Sequence, residues 1–243
     1  MTHPEEIIEK IKEQSKTSQL SGSRILITAG PTREPIDPVR FMSNYSSGKM
    51  GYAIAMAAKA KGASVELISG PVMLNPITDI RTTYVETSSE MYEAVKEKVS
   101  DFDIFISTAA IADYKPANYS DIKYKKNENN ITIEFTRGID ILETISKKYK
   151  NLFTVGFAAE TNSLKENAEK KLAKKNLDII VGNIANHELK LGFESDYNEV
   201  IMLSNTNLKK ISHDKKSNIA NKILDFIATE YSNKLELVKN NVK

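Results

Sequence analysis

Between residues 24 and 183, short apolar runs alternate with longer stretches of helical period, and this alternation constrains the fold more than any other feature of the chain. RILITAG (24–30), ASVELISG (63–70), DIFISTAA (103–110), FTVGFAA (153–159) and LDIIVGN (177–183) have the length and apolar content of strands buried on both faces. RTTYVE (81–86) reads as a more polar strand. Residues 47–61, 88–100, 140–150 and 163–176 carry helical patterns. Strands and helices in alternation predict an α/β protein with a mostly parallel sheet covered on both faces. NEVIMLS (198–204) and the Lys210 region predict a terminal hairpin, and residues 214–230 a last helix. A polar tail, expected to be frayed, follows over 232–243.

The 243 residues suit one large domain or two small ones. The 34 basic and 32 acidic residues leave a net charge of +2, which argues against bulk attraction to nucleic acid or membrane. Cysteine is absent, so disulfides, thiolate metal sites and a cysteine nucleophile are excluded, and a reducing compartment is a natural fit. No apolar run approaches the roughly 20 residues that span a bilayer. The N-terminus MTHPEEIIEKIKEQ lacks the apolar core of a secretion signal. Residues 4–15, with Ile7, Ile8 and Ile11 at helical spacing, read as a short amphipathic helix joined by a polar linker, making 1–21 a leading segment without a catalytic part.

One region breaks the alternation. Residues 112–138 are polar and lysine-rich, without helical period, and ITIEFT (131–136) alternates like a strand. An insertion of this length at the carboxyl end of a strand reads as a flap over a site, or as a hairpin arm used in dimer contact.

The first strand runs into AGPTREPIDPVRFMSNYSSGKMG. Strand, small-residue loop and helix together aim backbone N–H groups at an anion. Ser46, Ser47, Gly48, Lys49 and Gly51 therefore read either as a phosphate nest or as a serine cap with glycines for packing. No GxGxxG occurs, and Gly48-Lys49 is followed by Met50, so neither dinucleotide fingerprint nor Walker loop is present. Tyr-x-x-x-Lys occurs three times (Tyr45/Lys49, Tyr92/Lys96 and Tyr119/Lys123), too often to carry weight for a dehydrogenase. No GxSxG elbow exists, and the histidines are only His3, His187 and His213. The chemistry falls to lysines, amides, backbone dipoles and a substrate-borne metal, the means of phosphoryl or nucleotidyl transfer.

In the helix over 163–176, Leu164, Ala168 and Leu172 form the apolar stripe. Lys171 and Lys175 lie on an adjoining face, where they either converge on a ligand or join Lys170 and Lys174 in a solvated face. Lys123, Lys125 and Lys126 pose the same alternative in the flap. Asp113 ends the run Ala109-Ala110-Ile111-Ala112 at the carboxyl edge of a strand, placed to touch a base, sugar or metal, or to cap a turn.

ILITAGPTREPIDPVRFMSNYSSGKMGYAIA resembles the opening of the bacterial phosphopantothenoylcysteine synthetases, and STAAIADYKPA, GFAAET, KKNLDIIVGN and GFESDYNEV resemble later blocks in the same order. The resemblance covers about residues 22–228 and implies a Rossmann-like three-layer fold with an inserted flap at about 113–137, within a synthetase domain over 22–231. Because little precedes residue 22, it implies a stand-alone synthetase with no decarboxylase and no flavin. The implied protein is a cytoplasmic homodimer, its flap closing near the partner subunit, that uses Mg2+ with CTP and binds neither nucleic acid nor membrane. The family joins 4′-phosphopantothenate to L-cysteine: the substrate carboxylate attacks the α-phosphate of CTP, and the cysteine amine then displaces CMP from the acyl-cytidylate.

Roles carried over by resemblance fall on matching positions. Asn44 assists conversion of the acyl intermediate, and Ala109 and Ala110 line it. Asp113, Asp140, Ile141, Leu142, Phe157, Lys171 and Lys175 bind CTP. Lys123 is the flap lysine implied in forming the acyl-cytidylate. Ser46, Ser47, Gly48 and Lys49 are expected at phosphopantothenate. One departure stands out: where the family commonly has Asn-Pro-Asp-Ile, this chain has Gly138-Ile139-Asp140-Ile141. A non-catalytic nucleotide- or flavin-binding module is the rival reading, opposed by the presence of both Asn44 and Lys123.

Overall fold

The computed structural model describes residues 20–124, 130, 132–160, 163–184 and 195–241. The expected N-terminal helix, Lys125 and Lys126 lie outside them. In chain order the elements are β1 (Arg24–Ala29), β2 (Arg33–Pro35), β3 (Phe41–Ser43), α1 (Lys49–Ala60), β4 (Ser64–Ser69), β5 (Arg81–Tyr84), α2 (Ser88–Lys98), β6 (Ile104–Ser107), β7 (Tyr114–Pro116) and β8 (Phe135–Arg137). Then come α3 (Ile141–Lys148), β9 (Phe153–Glu160), α4 (Leu164–Lys174), β10 (Ile179–Ile184), β11 (Tyr197–Ser204), β12 (Leu208–Lys215) and α5 (Lys216–Asn241).

Eight strands form one sheet in the order β12-β11-β10-β9-β6-β1-β4-β5. The six from β10 to β5 are parallel, and β11 and β12 add an antiparallel hairpin at the edge. The apolar runs alternate sides as a two-residue period requires. Ile25, Ile27, Ile104, Ile106, Phe153, Val155, Ile179 and Val181 face one core with α1 and α5. Leu26, Phe105 and Ile180 face the other, under α2, α3 and α4. The architecture is thus a three-layer, Rossmann-like α/β fold.

Sequence order along the sheet reverses at β1, which has β4 on one side and β6 on the other. At such a point the loops leaving the two carboxyl ends part to opposite faces and leave a crevice. Both small hairpins stand at this end: β2 with β3 follows β1, and β7 with β8 forms the base of the flap. The flap strand lies at 135–137, at the end of the run 131–136 expected from alternation, because Tyr114–Pro116 pairs with Phe135–Arg137.

The last helix continues through Asn241 where a frayed tail was expected. Extending a helix already anchored by buried Ile219, Ile223, Leu224 and Ile227 adds a hydrogen bond per residue without a new nucleus. The Leu, Glu and Lys that follow are good helix formers. Among the described residues no helix is long and apolar enough to cross a membrane.

Candidate active site

A cavity of about 370 Å³ opens at the carboxyl ends of β6, β9 and β10, beside the start of α1. It is lined by Asn44, Ser46, Ser47, Gly48, Lys49, Ala109, Ala110, Asp113, Asp140, Ile141, Leu142, Phe157, Lys171 and Lys175. Of the site residues chosen from sequence, Lys123 alone is not in that lining. It sits exposed on the flap limb that leaves β7.

One wall is the start of α1. Its cap is Gly48, at φ +75°, with no side-chain cap. The serine-cap alternative therefore gives way to a glycine cap, with Ser46 Oγ accepting the Gly48 N–H at 3.3 Å. A Cβ on Gly48 would sit 2.6 Å from Val72 Cγ1, so space and backbone both select glycine there. Gly51 lets α1 lie against β1: a Cβ would fall 2.4 Å from Thr108 Oγ1 and 2.5 Å from Ala29 Cβ. This close approach sets the first turn of α1, whose N–H groups lack intrahelical acceptors, beside the ends of β1 and β6.

Asn44 stands between that helix and β6. Its side-chain amide donates to the Ala110 carbonyl at 2.8 Å. An amide nitrogen has two hydrogens, so Asn44 keeps a second N–H as well as its carbonyl oxygen for a ligand. Ala110 is itself fixed by its N–H to the Gly30 carbonyl at 2.9 Å and by a parallel bridge to Pro31.

The opposite wall carries the lysines. Lys175 Nζ lies 2.7 Å from Asp140 Oδ2, and Lys171 Nζ lies 2.6 Å from Glu160 Oε1. Asn167 Nδ2 donates to the other Glu160 oxygen at 3.0 Å. Of the expected α4 stripe, Ala168 (0% exposed) and Leu172 (6%) are buried and Leu164 is half-buried. The two lysines thus both line the cavity, each held by its own carboxylate, Lys175 the more buried and Lys171 partly open to solvent. Asp140 also caps α3, accepting the Glu143 N–H at 3.0 Å. Burial works against its charged form, but the hydrogen bonds from Lys175 and Glu143 outweigh it and hold the carboxyl below its usual range. The cap and the ion pair explain how Asp140 keeps its place although Gly138 and Ile139 depart from the family pattern: neither contact needs a proline.

Lys216, Asn183, Asn198 and Arg137, which no sequence motif marks, lie in the same lining. Lys216 is the first residue of α5 and only 5% exposed. Burial, then the nearby Lys49 ammonium, lowers its pKa to about 8, against the pull of Asp196. Asp196 Oδ1 itself holds Lys49 at 2.6 Å. The run HDKKSNIA shows only charge, and nothing local marks Lys216 as the buried one.

Among the described residues no cluster of three or more His, Asp or Glu side chains could hold a metal ion. The carboxylates in the lining are Asp113 and Asp140, the second already paired with Lys175. Such a donor set fits a magnesium that arrives on phosphate oxygens and keeps its waters, not a cage built by protein. With lysines, helix-start amides and Asn44 around it, the cavity is equipped to hold a polyanion and to hydrogen-bond a carbonyl or developing oxyanion.

Residues 20–231 match the family model described as the DNA/pantothenate metabolism flavoprotein C-terminal domain. The coenzyme A biosynthesis bifunctional protein CoaBC of Vibrio vulnificus is 42% identical over 232 residues, covering 94% of this chain. The chain spans 58% of the length of that relative. The crystal structure of the C-terminal domain of a CoaBC protein superposes with a TM-score of 0.76 at 41% identity, over 89% of this chain and 99% of that one. A Cab2 mutant in complex with phosphopantothenate-cysteine shares the fold at 16% identity, with a TM-score of 0.73 over 98% of this chain and 97% of that one. The chain belongs to the family of the DNA/pantothenate metabolism flavoprotein C-terminal domain.

Proposed function

We propose that this protein is a phosphopantothenate–cysteine ligase of coenzyme A biosynthesis that activates its substrate with CTP. The observation that carries the reading is the Asn44–Ala110 hydrogen bond, set in one cavity between the first turn of α1 and the Lys171/Lys175 wall. The relatives named for coenzyme A biosynthesis, and the phosphopantothenate-cysteine held by the Cab2 protein of the same fold, support it.

In the first half-reaction a carboxylate oxygen of 4′-phosphopantothenate bonds to the α-phosphorus of CTP, and pyrophosphate leaves. Magnesium comes as part of the nucleotide substrate and offsets the triphosphate charge. Lys123, brought over the phosphates by the flap, neutralises charge as the P–O bond to pyrophosphate breaks. Lys171 and Lys175 hold the nucleotide at the other wall, with Asp113, Phe157 and the 140–142 segment beside them, and Ser46–Lys49 hold the phosphopantothenate. In the second half-reaction the cysteine amine bonds to the acyl carbon, the C–O bond to CMP breaks and the nitrogen loses a proton. Asn44 donates its second N–H to the oxyanion formed on the way. The active unit is a homodimer.

The experiment is pyrophosphate release from the purified protein with phosphopantothenate and magnesium, with CTP or ATP, with and without L-cysteine. Release with CTP, and CMP with a cysteine conjugate only when cysteine is present, is the expected result. Release with ATP alone would keep the ligase and overturn the nucleotide. No release with either would leave the binding-module reading.

A further inference from the structure

Outside the cavity lining, the turn between β2 and β3 meets the flap at a polar knot. Asp37 is 3% exposed. One carboxylate oxygen accepts the Val39 and Arg40 N–H groups, both at 2.8 Å, the ordinary bonds of an aspartate-initiated turn. The other oxygen does more. It accepts Arg40 Nε at 2.9 Å and the Tyr124 backbone N–H at 3.3 Å. Arg40 Nη2 then donates to the Tyr124 carbonyl at 3.1 Å, and the guanidinium lies 5.5 Å from the centre of the Tyr124 ring. The Asp37–Arg40 pair therefore engages both backbone polar groups of one flap residue, as a neighbouring strand would. Four residues earlier, the Ser120 N–H donates to the Ile36 carbonyl at 3.1 Å.

The base of this clamp is well fixed. The Arg33 N–H donates to the Glu86 carbonyl at 2.8 Å, Ser43 Oγ to the Thr32 carbonyl at 2.7 Å, and the Ser88 N–H to Glu34 Oε1 at 2.9 Å. The β2–β3 hairpin is thereby tied to the start of α2. The hydrogen bonds from Arg40 hold the Asp37 carboxyl well below the usual carboxylate range, so the pair stays ionised at neutral pH. Closing the turn needs only the two bonds to Val39 and Arg40. The contacts to Tyr124 serve the flap, and Tyr124 adjoins Lys123.

We infer that Asp37 is a positioning residue for the first half-reaction, acting through Arg40 and the Tyr124 backbone to fix the flap limb that carries Lys123. The role of Lys123 rests on the ligase reading above; the clamp itself does not. Asp37→Asn separates the two duties of the carboxylate. Its remaining oxygen still closes the turn, while its amide hydrogens face the Arg40 guanidinium and the Tyr124 N–H, donors against donors. Arg40→Lys is the second variant, which keeps the charge but loses the forked reach to both Asp37 and the Tyr124 carbonyl.

Two readouts test the inference. Hydrogen exchange at the Tyr124 amide should speed up at least tenfold in both variants, with the thermal midpoint within a few degrees of the parent. Unchanged exchange would overturn the clamp whatever reaction the protein performs. CTP-dependent pyrophosphate release should fall about tenfold to a hundredfold, in kcat more than in KM for CTP, as expected for a misplaced catalytic group. In a Lys123→Gln background the same Asp37→Asn change should cost less than about twofold, because the residue it positions is gone. Losses that multiply would assign Asp37 to general stability and overturn the positioning role. A parent protein that releases no pyrophosphate would overturn the ligase reading, and the positioning role with it, while the exchange result would still decide the clamp.

Discussion

The two sides of the cavity are built on opposite plans. The Lys171/Lys175 wall rides on α4 and on β9, a strand whose Phe153, Thr154 and Val155 are buried, and each lysine is steadied by a carboxylate. The flap stands on a ladder of three residue pairs between β7 and β8, the β8 residues all exposed, and is steadied from the side by polar contacts from the β2–β3 turn. On the proposed function, the difference separates binding from chemistry. A wall made with the core presents its charges whether or not a ligand is there, and damage to it costs stability as well as affinity. A flap outside the core leaves stability nearly alone, and damage to it costs rate.

The sharpest break in this comparison is Lys123→Gln. Pyrophosphate release should fall on the order of a hundredfold to a thousandfold, the scale of losing one charge-stabilising donor. Unfolding free energy should change by less than about 0.5 kcal/mol, as at other exposed positions. A change that unfolds the protein instead would erase the distinction between flap and wall. Lys175→Met tests the other side. It strands the Asp140 carboxylate, only 28% exposed, and should destabilise by about 1–3 kcal/mol. The KM for CTP should rise roughly tenfold, while kcat changes less. Equal loss in kcat with KM unmoved would make Lys175 a participant in the chemistry and not a holder of the nucleotide.

The smallest effect concerns Lys216 and is read as stability against pH. In the unfolded chain this lysine keeps its proton to the ordinary value of 10.5, while burial and Lys49 lower it to about 8 in the folded protein. Between those values the unfolded state binds more protons, so stability should rise with pH across the window. Lys216→Met should flatten that rise by about 1 kcal/mol between pH 8 and 9 in denaturant titrations. Parallel curves for parent and variant would mean that the side chain is solvated and no part of the cavity floor.

The parallel core was legible because β1, β6, β9 and β10 are predominantly apolar runs, and the strand-loop-helix sequence around Gly48 could be placed from its small residues alone. Lys171 and Lys175 were half legible: their spacing put them on one face, but only the fold brings Glu160 and Asp140 to meet them. Lys216 was not legible, since burial of a lysine depends on α1 and the 196 segment packing beside it from distant parts of the chain. Nor was the clamp, because Asp37 and Tyr124 are 87 positions apart and the side chains of Asp37 and Arg40 meet backbone groups of Tyr124 that leave no trace in residue type. Local period reports strands and helices well, whereas contacts between two loops depend on the whole fold.

The most direct test of the two-step ligase is to follow label from [α-32P]CTP in Asn44→Asp with phosphopantothenate, magnesium and L-cysteine. Acyl-cytidylate should accumulate, because this change takes away the N–H offered to the oxyanion of the second half-reaction while the lysines proposed for the first step remain. Amide product should fall about a hundredfold and pyrophosphate release far less. If both half-reactions fall equally and no labelled intermediate appears, Asn44 does not divide the two steps, and the assignment of this cavity to a two-step ligase loses its central residue.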